Sequence, residues 1–169
     1  YLKAYVGTVY KDGAWKKMPD STYGGKNAGL LRWLKKKHFS PLTQSARYLS
    51  LSDKKEKQGK NHVRVQINKA SRYYFYAPDS FAKIIKGKAK NKMDINLVSK
   101  GLFGQKKYEW TEISGSRPSE LIVADEWVES PKNNAQKEYS EAEAVYRKFV
   151  YDNYTKADAG LKSSVNKIF

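Results

Sequence analysis

Two serines at alternate positions, Ser50 and Ser52, are the first residues whose spacing could do chemistry. They lie in the segment RYLSLSDKKEK (residues 47–57), where they alternate with Leu49 and Leu51. In an extended strand, successive side chains point to opposite faces, so the leucines would face a core and the hydroxyls the other side. The pattern therefore predicts a half-buried strand whose hydroxyl-bearing face meets either water or a pocket.

The histidines suggest a second kind of chemistry. His38 and His62 are the only two in the chain, and 33 lysine and arginine residues accompany them. A metal-independent ribonuclease needs an acid, a base and a cation around a phosphate, which these side chains can supply. Either histidine is a candidate for such a site, and surface or capping roles stay open for both. Neither has a carboxylate at ligand spacing, and cysteine is absent, so we expect no metal site.

The positive charge is concentrated in the first part of the chain. The formal net charge is +16, and residues 1–130 carry 26 lysine and arginine residues against 12 aspartate and glutamate residues, an excess of +14. Such a field attracts polyanions, namely nucleic acid, anionic lipid or an acidic protein. The candidate nucleic-acid-binding residues are Lys86, Lys88, Lys90 and Lys92 of a predicted lysine-rich loop, and Arg72.

Arg72 opens the aromatic run RYYFYAP (residues 72–78). This run could form a platform on which bases stack, with Arg72 adding a cation–π contact. The alternative is a strand whose alternate rings fill the core while the others cover its rim.

Hydrophobic periodicity predicts the remaining elements. A turn is expected at KDG, and residues 79–92 begin with a plausible helix N-cap. A short helix is predicted over residues 24–39, and strands over residues 2–10, 62–67, 72–78, 95–104, 107–113 and 120–128. This order indicates an α+β fold with a mainly antiparallel sheet, a short N-terminal helix and C-terminal helices.

The character of the sequence becomes helical after residue 130. Ser140 and Glu143 have the spacing of a capping box, and a second, weaker helix is expected near the C-terminus. We therefore divide the chain into a basic domain, residues 1–130, and a helical extension packed on it, residues 131–169. No apolar run approaches the roughly 18 residues of a membrane helix. The chain starts at Tyr1 without a methionine, so we expect a fragment of a larger protein.

Three segments, taken in order, carry a resemblance. They are YVGT (residues 5–8), the stretch from His38 to Lys57 that contains the serine pair, and SRPSELIVADEWVES (residues 116–130). This order resembles the ADP-ribosyltransferase toxin fold, in which an arginine, a Ser-x-Ser strand and a late glutamate converge on NAD. The resemblance covers residues 1–130 and implies a split-sheet fold.

The resemblance also implies roles for individual residues. Glu120 matches the catalytic glutamate, which stabilises the oxocarbenium-like cation formed when the nicotinamide–ribose bond breaks. Val6 stands where the family has its arginine, and Lys3 or Arg47 is the candidate substitute. The implied NAD-binding residues are Tyr48, Ser50, Ser52, Arg47 and His38.

The resemblance also implies that the protein is a toxin. Pro118 occupies the position where arginine-modifying members carry a second acidic residue, which favours a different acceptor, and the basic face favours nucleic acid. We expect a domain delivered by a secreted parent protein to a target-cell cytoplasm, using NAD as substrate without a metal and neutralised by an acidic immunity protein. The alternatives are a metal-independent ribonuclease toxin and a non-enzymatic nucleic-acid-binding module.

Overall fold

The computed structural model describes residues 2, 7, 9–52, 60–78, 80–91, 97–113 and 126–154 of the 169-residue chain. The fold is α+β and the described sheets are antiparallel, as the sequence predicted. The strands are β1 (Val9–Lys11), β2 (Ala14–Lys16), β3 (Lys60–Gln66), β4 (Phe81–Lys86), β5 (Ala89–Lys90), β6 (Val98–Ser99) and β7 (Lys107–Ile113). The α-helices are α1 (Gly25–Lys36), α2 (Gln44–Leu51), α3 (Glu126–Glu129) and α4 (Asn134–Tyr154).

The largest sheet has three strands in the order β3-β7-β4. Val63 and Val65 of β3 lie directly opposite Trp110 and Tyr108 of β7, so these four side chains share one face. That face packs on Phe75 and Ala77 of the segment after β3 and on Leu97, just before β6. The buried residues of this sheet core are Ile67, Phe75, Ala77, Phe81, Leu97, Tyr108 and Trp110.

The central ring of the aromatic run fills the core, as the second of its two interpretations expected. Phe75 is buried and lies 4.4 Å from Tyr108 between ring centroids. Residues 72–78 do not form the predicted strand, because Tyr74 makes only a single bridge to Val98. The neighbouring ring of Tyr73 is half exposed.

The expected helix N-cap at residues 79–92 is wrong, because this segment forms strands β4 and β5. Ser80 donates its hydroxyl to the Glu112 carboxylate at 2.9 Å instead of capping a helix. Gly87 then ends β4 with φ 137°, a conformation open to glycine. A β-carbon there would lie 3.1 Å from the Phe75 ring and 3.2 Å from Tyr108, so the close approach also requires glycine.

The second core lies between helices α1, α2 and α4. Helix α1 presents Leu31 and Leu34, three residues apart, and α4 presents Ala142 and Phe149, seven residues apart, so each pair lies on one helical face. Its buried residues are Leu31, Leu34, Phe39, Tyr48, Tyr139, Ala142 and Phe149. We call this part of the molecule the helical layer.

The strand predicted around the two serines is wrong: residues 44–51 form helix α2. A 3-10 helix with Pro41 in its first turn leads directly into α2, and the fixed φ of proline favours a helical start. An isolated helix of eight residues is unstable in water, so packing must hold α2 in place. Buried Ala46 and Tyr48 provide that packing.

Helix α4 begins six residues before the predicted capping box. The Asn133 side chain accepts a hydrogen bond from the Gln136 backbone N–H at 2.9 Å, which makes Asn133 the N-cap. Ser140 lies inside the helix and donates to the Gln136 carbonyl at 3.0 Å. The expected capping role of Ser140 is therefore wrong, whereas Ala142 and Phe149 on the following turns are buried.

The remaining expectations have mixed outcomes. The KDG turn is confirmed: Asp12 and Gly13, both at positive φ, join β1 to β2 in a two-residue hairpin loop. The end of the strand predicted over residues 120–128 is helical, because α3 begins at Glu126. The rest of that strand and the weak C-terminal helix lie outside the described residues.

Within the described residues, none of the helices has the length and apolar character to cross a membrane.

Candidate phosphate-binding face and adjoining cavity

The outer face of the three-stranded sheet, opposite its core, carries two rows of polar side chains. Strand register places His62 and Lys83 on either side of Thr111, and Arg64 and Lys86 on either side of Glu109. Neighbouring strands lie about 4.8 Å apart, so the members of each row are close neighbours. We call these six residues, His62, Thr111, Lys83, Arg64, Glu109 and Lys86, the grid.

Two register shifts in β4 bring both of its lysines to this face. Lys83 and Lys86 are three residues apart, and in a regular strand that spacing would place them on opposite faces. The pairing with β7 shifts between Phe81 and Lys83 and again between Ile84 and Lys86. Such bulges redirect side chains and are frequent beside active sites. As a result, the β4 lysines stand opposite Thr111 and Glu109.

Glu109 is the central carboxylate of the grid. One of its oxygens lies 2.9 Å from His62 Nε2, and the other accepts a hydrogen bond from Arg64 Nε at 3.1 Å. Desolvation raises the pKa of Glu109, but the hydrogen bonds and charges of Arg64 and His62 outweigh it, so the pKa lies below its ordinary 4.5. This ion pairing stabilises the fold above pH 4.5 and is lost as the pH falls through the lowered value.

Cations extend beyond the grid at both ends. Lys60 lies opposite Ile113 at one end of β7, and Lys107 lies opposite Gln66 at the other. Among the paired positions of this outer face, five carry lysine or arginine and one carries a carboxylate. This balance gives the described part of the face a local excess of positive charge, which would attract an anion.

A cavity of about 570 Å³ adjoins the grid, between α2 and strands β4 and β7. Lys83 and Thr111 belong to both, so a ligand in the cavity would reach the grid directly. Among the described residues, the cavity wall includes basic and hydroxyl side chains but no carboxylate. Its polar lining residues are His38, Thr43, Arg47, Ser50, Lys60, Lys83 and Thr111.

His38 occupies a strained position beside this cavity. It follows α1 with φ 55°, in the left-handed region that favours glycine. Its N–H donates to the Lys35 carbonyl, and the Phe39 N–H donates to the Leu34 carbonyl at 3.0 Å, which together form a Schellman motif. His38 also lines a second cavity of about 620 Å³ beside α1, where Arg32 and Lys35 are further cations.

The structure brings together three of the predicted NAD-binding residues. His38, Arg47 and Ser50 line the 570 Å³ cavity, and the Ser50 hydroxyl donates to the Arg47 carbonyl at 2.7 Å. Tyr48 instead points into the helical layer, 6.2 Å from Tyr139 between ring centroids. Ser52 is the C-cap of α2 and does not share a strand face with Ser50.

The predicted nucleic-acid-binding residues are spread over a wider surface. Lys86 belongs to the grid, whereas Lys88 and Lys90 follow it at and beside β5. Arg72 is exposed, and its carbonyl accepts a hydrogen bond from the Gln105 N–H at 2.7 Å. Lys92 and the predicted catalytic residue Glu120 lie outside the described residues, as do Lys3 and Val6.

Glu109, Arg64 and Thr111 are site residues that the sequence patterns did not single out. Alternation in HVRVQI and KYEWTEI already placed these side chains away from the core. The missing information was the pairing of β3 with β7, which brings His62 and Glu109 together over 47 residues of sequence. The alternation was therefore a usable signal, but only in combination with the register.

Two further results bear on the chemistry. Within the described ranges, no three histidine, aspartate or glutamate side chains are grouped so that they could hold a metal ion. Comparison with known proteins gave no significant match to a family model, a curated sequence or a solved structure. The candidate function therefore depends on the geometry of the grid and its cavity.

Proposed function

We propose that this protein binds RNA across the grid and cleaves its phosphodiester backbone. The observation that carries the proposal is the His62–Glu109 pair, with a separation of 2.9 Å, on a face where five cations accompany a single carboxylate. Acid–base chemistry on a phosphate needs groups that transfer protons and cations that stabilise the developing charge, and an imidazole next to cations supplies both. The adjoining cavity would hold the nucleotide next to the scissile bond.

The pair gives each member a distinct role. A neutral imidazole has one donor and one acceptor nitrogen. When His62 Nε2 donates to Glu109, Nδ1 is left to remove the proton from a ribose 2′-hydroxyl. Glu109 is thus a positioning residue that fixes the tautomer and orientation of His62, and Arg64 holds the other carboxylate oxygen.

The grid also accounts for the rest of the reaction. The deprotonated 2′-oxygen attacks phosphorus, the bond from phosphorus to the 5′-oxygen breaks, and a 2′,3′-cyclic phosphate and a 5′-hydroxyl are formed. Lys83 stands across Thr111 from His62, where its ammonium group can protonate the leaving 5′-oxygen. Lys86 and Arg64 would stabilise the charge that accumulates on the phosphorane oxygens. Solvent returns the proton from His62 to Lys83.

The test is cleavage of a defined RNA in EDTA, with detection of the cyclic phosphate. His62→Gln should lower the rate by at least about 100-fold, as expected for loss of a general base. Asn61→Gln is a matched control, because Asn61 is the adjacent residue on the opposite face of β3, where it donates to Glu112. Glu109→Gln should lower the rate. It should also make the free energy of unfolding fall less steeply as the pH drops below 4.5. Undiminished cleavage by His62→Gln would refute the proposal.

A specific observation also favours ADP-ribose transfer as a second candidate. His38, Arg47 and Ser50, which the family resemblance assigned to NAD, line one cavity whose volume of about 570 Å³ is in the range of small-molecule sites. The test is nicotinamide release from NAD, which Glu120→Gln should lower by at least about 100-fold. If RNA cleavage alone is the activity, Glu120→Gln should cleave RNA normally and NAD should stay intact. Delivery into a target cell and an acidic immunity partner stay predictions of the resemblance.

A further inference from the structure

A tight turn between β6 and β7 presents two large apolar side chains to solvent. Leu102 is 99% exposed and Phe103 is 91% exposed. Single exposed apolar residues are common on protein surfaces, but two adjacent side chains with almost no protein contact are a different feature. We call residues 101–104 the apolar turn.

Hydrogen bonds fix the apolar turn at both ends. The Gly104 N–H donates to the Gly101 carbonyl at 3.2 Å, and the Gly101 N–H donates to the Ser99 hydroxyl at 3.2 Å. Gly104 has φ 68°, and a β-carbon at this position would lie 2.2 Å from the Arg72 carbonyl oxygen. The backbone is therefore held in one conformation that keeps Leu102 and Phe103 at the tip.

Backbone hydrogen bonds and chain position bring four cationic residues to the base of the apolar turn. The Lys100 N–H donates to the Lys88 carbonyl at 3.0 Å, and the Gln105 N–H, just before Lys106, donates to the Arg72 carbonyl at 2.7 Å. In the described part of the chain, none of these four cationic side chains forms an ion pair. We call Arg72, Lys88, Lys100 and Lys106 the basic collar.

We propose that the apolar turn inserts into the interfacial region of an anionic lipid bilayer, with the basic collar on the headgroups. Leucine and phenylalanine side chains enter the boundary between headgroups and acyl chains, and lysines above them attract anionic lipid. A nucleic acid fits this tip less well, because leucine has no flat face for stacking and neither side chain can hydrogen-bond to a base. The binding is peripheral and independent of the catalytic proposal.

The test is co-sedimentation of the full chain with vesicles of phosphatidylcholine alone and of phosphatidylcholine with phosphatidylserine. The wild type should bind only the phosphatidylserine vesicles, and high salt should release it. The double variant Leu102→Ser, Phe103→Ser should bind at least tenfold more weakly, since two apolar side chains no longer leave water. Tyr151→Ser is the control, because it removes a side chain that is 64% exposed on α4 and should leave vesicle binding unchanged.

Three outcomes would overturn the proposal. One is vesicle binding by the double variant at the wild-type level, and another is equal binding of the wild type to neutral vesicles. The third is a double variant that loses affinity for RNA but keeps its affinity for phosphatidylserine vesicles, because the turn would then be a nucleic-acid contact. Lys100→Gln with Lys106→Gln gives an independent arm that leaves the apolar tip intact and should also weaken binding to anionic vesicles.

Discussion

Helix α4 and the outer sheet face differ in how far their charges are paired within the protein. Helix α4 carries three cations and four carboxylates, and within the described residues five of these seven charges form ion pairs. Arg147 pairs with Glu143, Lys148 with Asp152, and Glu138 with Lys37 of α1. The outer face has five cations for one carboxylate at its paired positions. The net charge of +16 therefore includes, within the described residues, a local excess of cations on the outer face.

The two regions also differ in the burial of their polar side chains. In the helical layer, the Gln136 side chain is fully buried, accepts a hydrogen bond from the Lys132 N–H at 2.8 Å and donates to the Leu51 carbonyl at 2.9 Å. Its amide thus links the start of α4 to the end of α2. On the outer sheet face, by contrast, the cationic side chains and His62 are exposed to solvent. We therefore expect substitutions in the helical layer to change stability and substitutions on the outer face to change binding.

Truncating the helical layer should produce the largest effect on stability. Phe149 is 2% exposed and lies within 6.5 Å of the rings of Tyr23, Tyr146 and Tyr154. Phe149→Ala should lower the free energy of unfolding by about 3–5 kcal/mol, the cost of a large cavity. Urea denaturation measures the change. Tyr151→Ala, on the exposed side of the same helix, should cost far less, and equal losses would contradict the assignment of the core.

Neutralising the outer face should affect binding instead of folding. Replacing Lys60, Lys83, Lys86 and Lys107 with glutamine should reduce the slope of log affinity for single-stranded RNA against log salt by about 3, or about 0.7 for each phosphate that a lysine no longer neutralises. Unfolding free energy should stay within about 0.5 kcal/mol for each substitution. The measurement is a salt titration of RNA binding.

The helical layer offers a charge-matched control for this experiment. Four exposed lysines of its helices, Lys26, Lys36, Lys137 and Lys148, can be changed to glutamine with the same loss of net charge. If this control flattens the salt dependence as much as the outer-face variant does, the attraction comes from the overall charge. The contrast between the two regions would then be wrong for binding.

Sequence patterns predicted those elements in which local preference and burial agree. Val63, Val65 and Ile67 alternate with polar residues, and β3 follows as expected. The leucines of α1 have helical spacing, and lysines occupy its last turn, where cations are favoured. In these segments the local sequence already specifies the side that must be buried.

The remaining elements depend on contacts distant in sequence. Leu49 and Leu51 alternate as in a strand, yet helix α2 also packs both against the helical layer. The start of residues 79–92 resembles a helix N-terminus, yet Ser80 donates its hydroxyl to Glu112 of the neighbouring strand. The grid exists only through the register of three strands, which no single segment encodes. Residue types were therefore predictable, but their grouping into a site was not.

The smallest effect we predict concerns His38, which connects the helical layer to the cavity. It ends α1 at φ 55°, where a β-carbon costs about 1 kcal/mol and glycine costs little. His38→Gly should therefore raise the free energy of unfolding by about 0.5–1 kcal/mol, even though it removes a side chain. A gain of this kind is expected when a residue is retained for function at the expense of stability.

The His38 side chain should also contribute to RNA binding. Because it lines the cavity beside the grid, His38→Gly should weaken RNA binding about fivefold to tenfold, equivalent to about 1–1.4 kcal/mol. Asp12→Gly is the matched control, since Asp12 is also a non-glycine residue at positive φ, 53°, but belongs to the β1–β2 hairpin. Asp12→Gly should relieve similar strain and should lose the exposed ion pair between Asp12 and Lys16. It should leave the affinity for RNA unchanged. A His38→Gly variant that is less stable and binds RNA normally would make His38 a structural cap, and the cavity would lose its connection to function.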